Sequence, residues 1–151
     1  MSKVSLKMPY ARQGEDSANC GPCTLKMLVD YYNVRNPDGR RYSVASLNRL
    51  LKVTSEFGCE KSDVVRTLKR LGLKRERVDW RTLHIHLKKR KPVLSLFVDE
   101  DGIGHYSVIK GTDKKHLLFH DPYWGKDVAR DKRQFKNQAR KFGNWLWAIS
   151  K

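Results

Sequence analysis

The chain has 151 residues, the size of one domain with room for a buried core, and 39% of them are hydrophobic, including five Phe, six Tyr and four Trp, as in a folded globular protein. No apolar run approaches the roughly 20 residues that a helical membrane span needs, which excludes insertion of that kind. Lys and Arg number 32 against 16 Asp and Glu, giving a formal net charge of +16 and a pI near 10.0, so polyanions are attracted nonspecifically at low salt.

The opening MSKVSLKMPYARQGED lacks the continuous apolar segment of a secretory signal and predicts a product that stays in the cytoplasm. Leu25, Leu28, Val29 and Tyr32 recur at helical spacing, and Pro22 sits where a first turn tolerates a missing N–H, so 21–32 reads as a helix. NPDGRR at 36–41 is a turn, after which Ser43 caps a short helix with Val44, Leu47, Leu50 and Leu51 on one face. Ser62 caps a further helix running through Leu71 and ended by Gly72. A short strand over 73–79 and a helix over 81–89 follow. PVLSLFV at 92–98, bounded by Pro92 and a DEDGIG turn, reads as a buried strand. HYSVIKG at 105–111 and HLLFHDP at 116–122 flank the polar tetrapeptide 112–115 and read as a hairpin. The charged stretch 126–141 reads as a solvated helix, and NWLWAIS closes the chain as a strand. With no repeat, low-complexity tract or linker, these elements predict one α+β domain over 1–151, helices first and antiparallel strands second.

Three cysteines, Cys20, Cys23 and Cys59, are an odd count in a chain too long to need disulfide staples, which favours reduced thiols. Cys20 stands at the mouth of the first helix, where unpaired backbone N–H groups and the positive end of the macrodipole favour the thiolate, the nucleophilic form. Gly21 leaves room beside the sulfur for a substrate backbone, and the Cys20 N–H is placed to hold a developing oxyanion. The hairpin supplies a partner. With its turn centred near Asp113, His105 and Asp121 face each other across the ladder, close enough for the carboxylate to hold one imidazole nitrogen and leave the other for a nucleophile. A slip of one residue would put the two on opposite faces.

Gln13, NCGPCTLKMLVDYY at 19–32, PVLSLFV, GHYSVIKG at 104–111 and HDPYWG at 120–125 resemble, in this order and spacing, the bacteriocin-processing cysteine peptidases and their stand-alone relatives, a branch of the papain-like fold. The resemblance spans nearly the whole chain. It implies a papain-like α+β fold, a nucleophile at Cys20, a general base at His105, an orienting carboxylate at Asp121 and an oxyanion-hole amide at Gln13. Family members process leaders ending in double glycine, often at the head of an ABC exporter. A stand-alone form is expected, since Asn19 replaces the Asp that many exporter-linked members carry before the cysteine. Gly104, Tyr106 and Trp124 lie near these residues in sequence and are candidates, with Gly21, for the substrate cleft.

Cys20 and Cys23 form a CxxC, but no second CxxC or HxxxH accompanies it, so neither a metal nor another cofactor is expected, and Cys23 reads as a packing thiol. The basic residues are scattered rather than gathered on one recognition helix, which leaves nonspecific nucleic-acid binding beside a peptide or protein substrate as partner chemistries. The expected reaction is peptide-bond hydrolysis. Acyl transfer to an amine, and a noncatalytic domain that binds a peptide or nucleic acid on the same scaffold, are the alternatives.

Overall fold

The computed structural model describes residues 3–14, 18–54 and 58–151. Strand β1 (Val4–Ser5) precedes three helices, α1 (Cys20–Tyr31), α2 (Val44–Leu51) and α3 (Lys61–Arg70). Then come β2 (Lys74–Arg77), α4 (Leu83–Lys88), β3 (Val93–Val98), β4 (Gly104–Thr112), β5 (His116–Asp121), β6 (Gly125–Asp131), α5 (Lys132–Arg140) and β7 (Leu146–Ser150). The strands form an antiparallel sheet in the order β2-β7-β3-β4-β5-β6, with β1 added to β4.

Alternation along the strands divides the core between the two faces of this sheet. Leu94 and Leu96 of β3, Tyr106 and Val108 of β4, and Ile149 of β7 pack with α1, α2 and α3. Val93 and Phe97 of β3, Ile109 of β4, and Leu146 and Ala148 of β7 pack instead with Leu83 and Leu87 of α4 and Phe135 and Ala139 of α5. The fold is thus α+β, with helices on both faces of the sheet.

Local chemistry explains most boundaries. Ser43 and Ser46 form a reciprocal capping box at the start of α2, each side chain taking the other's backbone N–H at 3.0 Å. Gly72, at φ +76°, ends α3 as expected, its N–H and that of Leu73 returning to the Lys69 and Leu68 carbonyls. Ser62 does not cap α3. The helix begins before it, with Glu60 in the extended N-cap position, so Ser62 lies inside the first turn.

The charged stretch 126–141 is a second correction, because its first half is strand β6 and only its second half is helix. Arg130 disguises the strand. Its guanidinium lies 5.0 Å from the Phe97 ring centroid and 5.9 Å from that of Phe119 and pairs with Glu100, so a charged residue covers an aromatic core.

The β4–β5 hairpin turns later than expected, Thr112 facing Leu117. That register alone would set His105 and Asp121 on opposite faces, but a bulge between Ile109 and Gly111 takes up one residue. Beyond it Val108 faces His120 and Ile109 faces Phe119, so steps of two bring His105 and Asp121 to the same face as diagonal rather than directly opposed neighbours. Gly111 permits the crossing of β1 at this bulge, since a Cβ there would run into the Val4 carbonyl and lie 3.1 Å from Ser5 Cα. Gly111→Ala should therefore destabilise the protein by about 1–3 kcal/mol, read from the midpoint of urea unfolding. An unchanged midpoint would mean that the β1 crossing does not constrain the bulge.

Candidate active site

Cys20 is the first residue of α1 and is half-buried. The Asn19 side chain gives no cap to the helix, because its Oδ1 takes the Asn48 side-chain N–H at 3.1 Å, and no acidic residue lies in the first turn. The positive end of α1 is therefore left to the Cys20 thiol.

His105 enters from β4, buried between the edges of Phe97 and Tyr123 at ring distances of 5.8 and 6.4 Å. Its Nε2 lies 2.6 Å from Asp121 Oδ1. Asp121, at the end of β5, is fully buried, and the same oxygen accepts the backbone N–H groups of Tyr123 at 2.9 Å and Trp124 at 3.0 Å. The tight turn after β5 thus fixes the carboxylate, which in turn fixes the imidazole. With Nε2 committed to Asp121, Nδ1 is the ring nitrogen left to interact with Cys20. Burial alone would lower the imidazole pKa, but the hydrogen bonds to Asp121 and Cys20 and their negative charges outweigh it, raising the pKa from 6.5 to about 10. The imidazolium is favoured across the neutral range.

The other two thiols are driven the opposite way. Burial, with the charge of Cys20 adding to it, pushes Cys23 up to about 11. Burial, then Cys20 and Asp63, pushes Cys59 up to about 12. Both are poor nucleophiles at neutral pH. Cys23 lies one turn below Cys20 with its side chain in the core, and among the described residues no group of three or more His, Cys, Asp or Glu is arranged to hold a metal ion.

Cys20 opens onto a cleft of about 390 Å³, lined by Gly58, Cys59, Glu60, Lys61 and Ser62 and by Leu96, Gly104, Tyr106 and Phe142. Gly104 and Tyr106 are thus in the cleft. Gly21 and Trp124 are not among its lining residues. Gly21 is buried, and the space its side chain would need is occupied by the Cys59 sulfur. Trp124 stands exposed on the turn after β5, its ring 4.9 Å from that of Tyr123, beside a different groove.

Gln13 is half-buried, and its backbone N–H donates to the Pro122 carbonyl at 2.9 Å, which ties it to the residue that follows Asp121. Sequence reasoning missed Cys59 and Phe142. Phe142 sits on Gly104 so closely that a Cβ there would lie 2.9 Å from the ring, and Lys61 holds the Phe142 carbonyl at 3.3 Å. The absence of a side chain in the Gly104-His105 pair was the one available signal.

The sequence model of the peptidase C39 family matches residues 7–141. Comparison with curated proteins gives no match. Among solved structures, the peptidase domain of Streptococcus ComA, a bifunctional ABC transporter of a quorum-sensing pathway, is 24% identical, with 95% of this chain and 96% of that one covered at a TM-score of 0.71. A double-glycine-motif protease from an AMS/PCAT transporter, solved with its leader peptide, is 20% identical over 97% of this chain and 93% of that one, TM-score 0.68. A protein from Bacillus anthracis described as a C39-like peptidase is 15% identical over 100% and 98%, TM-score 0.72. At these identities the three structures speak to the fold.

Proposed function

The chain belongs to the peptidase C39 family and is a cysteine peptidase, and from that premise we propose that residues 1–151 act as one peptidase domain with Cys20 as nucleophile, His105 as general acid and base, and Asp121 as orienting carboxylate. The observation that carries this reading is one imidazole hydrogen-bonded to a buried carboxylate and raised in pKa by the thiol at a helix N-terminus. No helix among the described residues is long and apolar enough to cross a membrane.

In the proposed reaction a peptide lies in the cleft and the Cys20 thiolate attacks its carbonyl carbon. The Gln13 side-chain amide and the Cys20 N–H hold the oxyanion. The His105 imidazolium gives its proton to the leaving amine as the C–N bond breaks, leaving a thioester on Cys20. Neutral His105 then takes a proton from water, which attacks the thioester and releases the acid, restoring the thiolate and imidazolium. Asp121 keeps the ring aimed throughout.

The solved relative that carries a double-glycine leader peptide supports a peptide substrate for this chain too. A pool of peptides containing Gly-Gly sites, incubated in H₂¹⁸O, should yield fragments whose new carboxyl groups carry one ¹⁸O, and Cys20→Ala should abolish them. Fragments that persist in Cys20→Ala would refute the assignment of the nucleophile. Amine-linked products without ¹⁸O would replace hydrolysis by acyl transfer.

A further inference from the structure

A buried group of titratable side chains lies outside the proposed machinery. His120 is 2% exposed and Lys110 is 6% exposed, and both meet at Asp127. The Lys110 ammonium pairs with the Asp127 carboxylate, and the Asp127 backbone N–H donates to His120 Nδ1 at 3.2 Å. A nitrogen that accepts is unprotonated, so His120 carries its single proton on Nε2, which lies 3.1 Å from the Met8 carbonyl and donates to it. One tautomer is thereby selected.

The Met8 carbonyl belongs to the segment that delivers Gln13. That strap pairs Val4 and Ser5 with Thr112 and Gly111, and then the Leu6 N–H donates to the carbonyl of Lys110, the bulge residue, at 2.9 Å. It next passes the His120 imidazole and is held at Tyr10, whose hydroxyl donates to the Asp121 carbonyl at 2.7 Å, before reaching Gln13 at Pro122. Among these fastenings, His120 supplies a side-chain donor to the strap's own backbone midway along it. The Tyr10 ring packs edge-on against the imidazole at 5.4 Å, so strap and imidazole also share packing.

Resting on the assignment of Gln13 as an oxyanion donor, we propose that His120, held in its neutral tautomer by the Lys110–Asp127 pair, is a positioning residue that sets Gln13 for transition-state stabilisation by clamping the strap at Met8. It touches neither substrate nor Cys20. Its effect falls on the step that builds an oxyanion, where a displacement of about 1 Å costs on the order of 10²-fold.

Protonation of Nδ1 would turn an acceptor into a donor facing the Asp127 N–H and release that end of the clamp. The charges facing the ring are Lys110 from β4 and Asp127 from β6, with Tyr10 from the strap as the neighbouring titratable group. Burial and the Lys110 charge hold His120 below its ordinary value against the opposing pull of Met8 and Asp127, which keeps the neutral form through the physiological range.

Two reactions of the same thiolate separate positioning from general damage. Alkylation by iodoacetamide forms no oxyanion, whereas acylation by p-nitrophenyl acetate passes through one, so the ratio of the two rates at Cys20 reads the oxyanion hole and cancels thiolate content. His120→Ala should lower the acylation-to-alkylation ratio by about 10- to 100-fold. His120→Gln, whose amide N–H can reach Met8 as Nε2 does, should restore it to within about threefold of wild type. In a Gln13→Ala background, His120→Ala should add nothing further.

A ratio unchanged in His120→Ala while Gln13→Ala lowers it would overturn the inference and leave the oxyanion assignment standing. Equal loss of both rates, no rescue by Gln, or full additivity with Gln13→Ala would overturn it as well, showing a structural role. A ratio unchanged in Gln13→Ala would overturn the oxyanion assignment and this inference with it.

Discussion

Asp121→Ala should reduce kcat on a cleaved peptide by roughly 10³-fold, the scale on which members of a catalytic triad act, while leaving KM within about threefold. The carboxylate is fully buried, and one of its oxygens holds His105 Nε2 together with the Tyr123 and Trp124 N–H groups. Alanine abandons all three donors, frees the imidazole to turn, and should also cost about 3–5 kcal/mol of stability through the broken buried pair. Asp121→Asn separates orientation from charge. Its Oδ1 can still accept the same N–H groups, so most of the ring's orientation survives and the loss should be closer to 10-fold. What disappears is the negative charge that helps raise His105 to about 10.

That difference has a pH signature. The proposed acid is the imidazolium, so wild-type activity should persist into the alkaline range and fall as pH rises through about 10, and Asp121→Asn should bring the fall to lower pH. Folding stability follows the same sign. A histidine whose folded pKa exceeds its unfolded value of about 6.5 contributes stability that is fully present below that value and lost as pH rises through about 10. Profiles of kcat against pH for wild type and Asp121→Asn check the first statement. Superimposable alkaline limbs would remove Asp121 from the electrostatics of the site.

The second large effect concerns the thiols. Cys20 should be the one fast-reacting cysteine at pH 6, and His105→Ala should slow it by roughly two orders of magnitude, because the positive charge of the imidazolium beside its sulfur is lost. Cys23 and Cys59 should stay slow in both proteins, held protonated by burial up to about 11 and about 12. The contrast depends on position. Cys20 sits where α1 offers uncapped N–H groups and where His105 supplies a positive charge, whereas Cys23, three residues on, points into the core.

Much of this arrangement was legible in the sequence because it rests on local rules. The apolar spacing from Leu25 to Tyr32 fixes α1 and places Cys20 at its start, Gly72 ends α3, and apolar runs bounded by turn residues mark β3, β4 and β5. The adjacency of His105 and Asp121 was read through a turn placed too early. Parity survived because a bulge near Lys110, invisible to hydrophobic pattern, shifts the register by one residue and leaves the remaining displacement even, which keeps the two on one face as diagonal neighbours.

β6 escaped because Arg130 does the work of an apolar residue by laying its guanidinium over Phe97 and Phe119. The cleft wall at Phe142, the Cys59 sulfur packed on Gly21, and the outward position of Trp124 depend on contacts between residues distant in sequence, which no local rule encodes. The strap from Val4 to Gln13 shows the same limit: Val4, Leu6, Met8 and Tyr10 alternate as in a strand, yet the strand stops at Ser5, and the course beyond it is set by hydrogen bonds to Lys110, His120, Asp121 and Pro122, far along the chain.

Mass-spectrometric mapping of iodoacetamide adducts over pH 5 to 9 in wild type and His105→Ala reads whether His105 makes the Cys20 sulfur reactive. Cys20 alone should label rapidly in wild type already at pH 6, and His105→Ala should lose that labelling. Equal, slow labelling of Cys20, Cys23 and Cys59, or a Cys20 rate that His105→Ala leaves untouched, would contradict activation by His105.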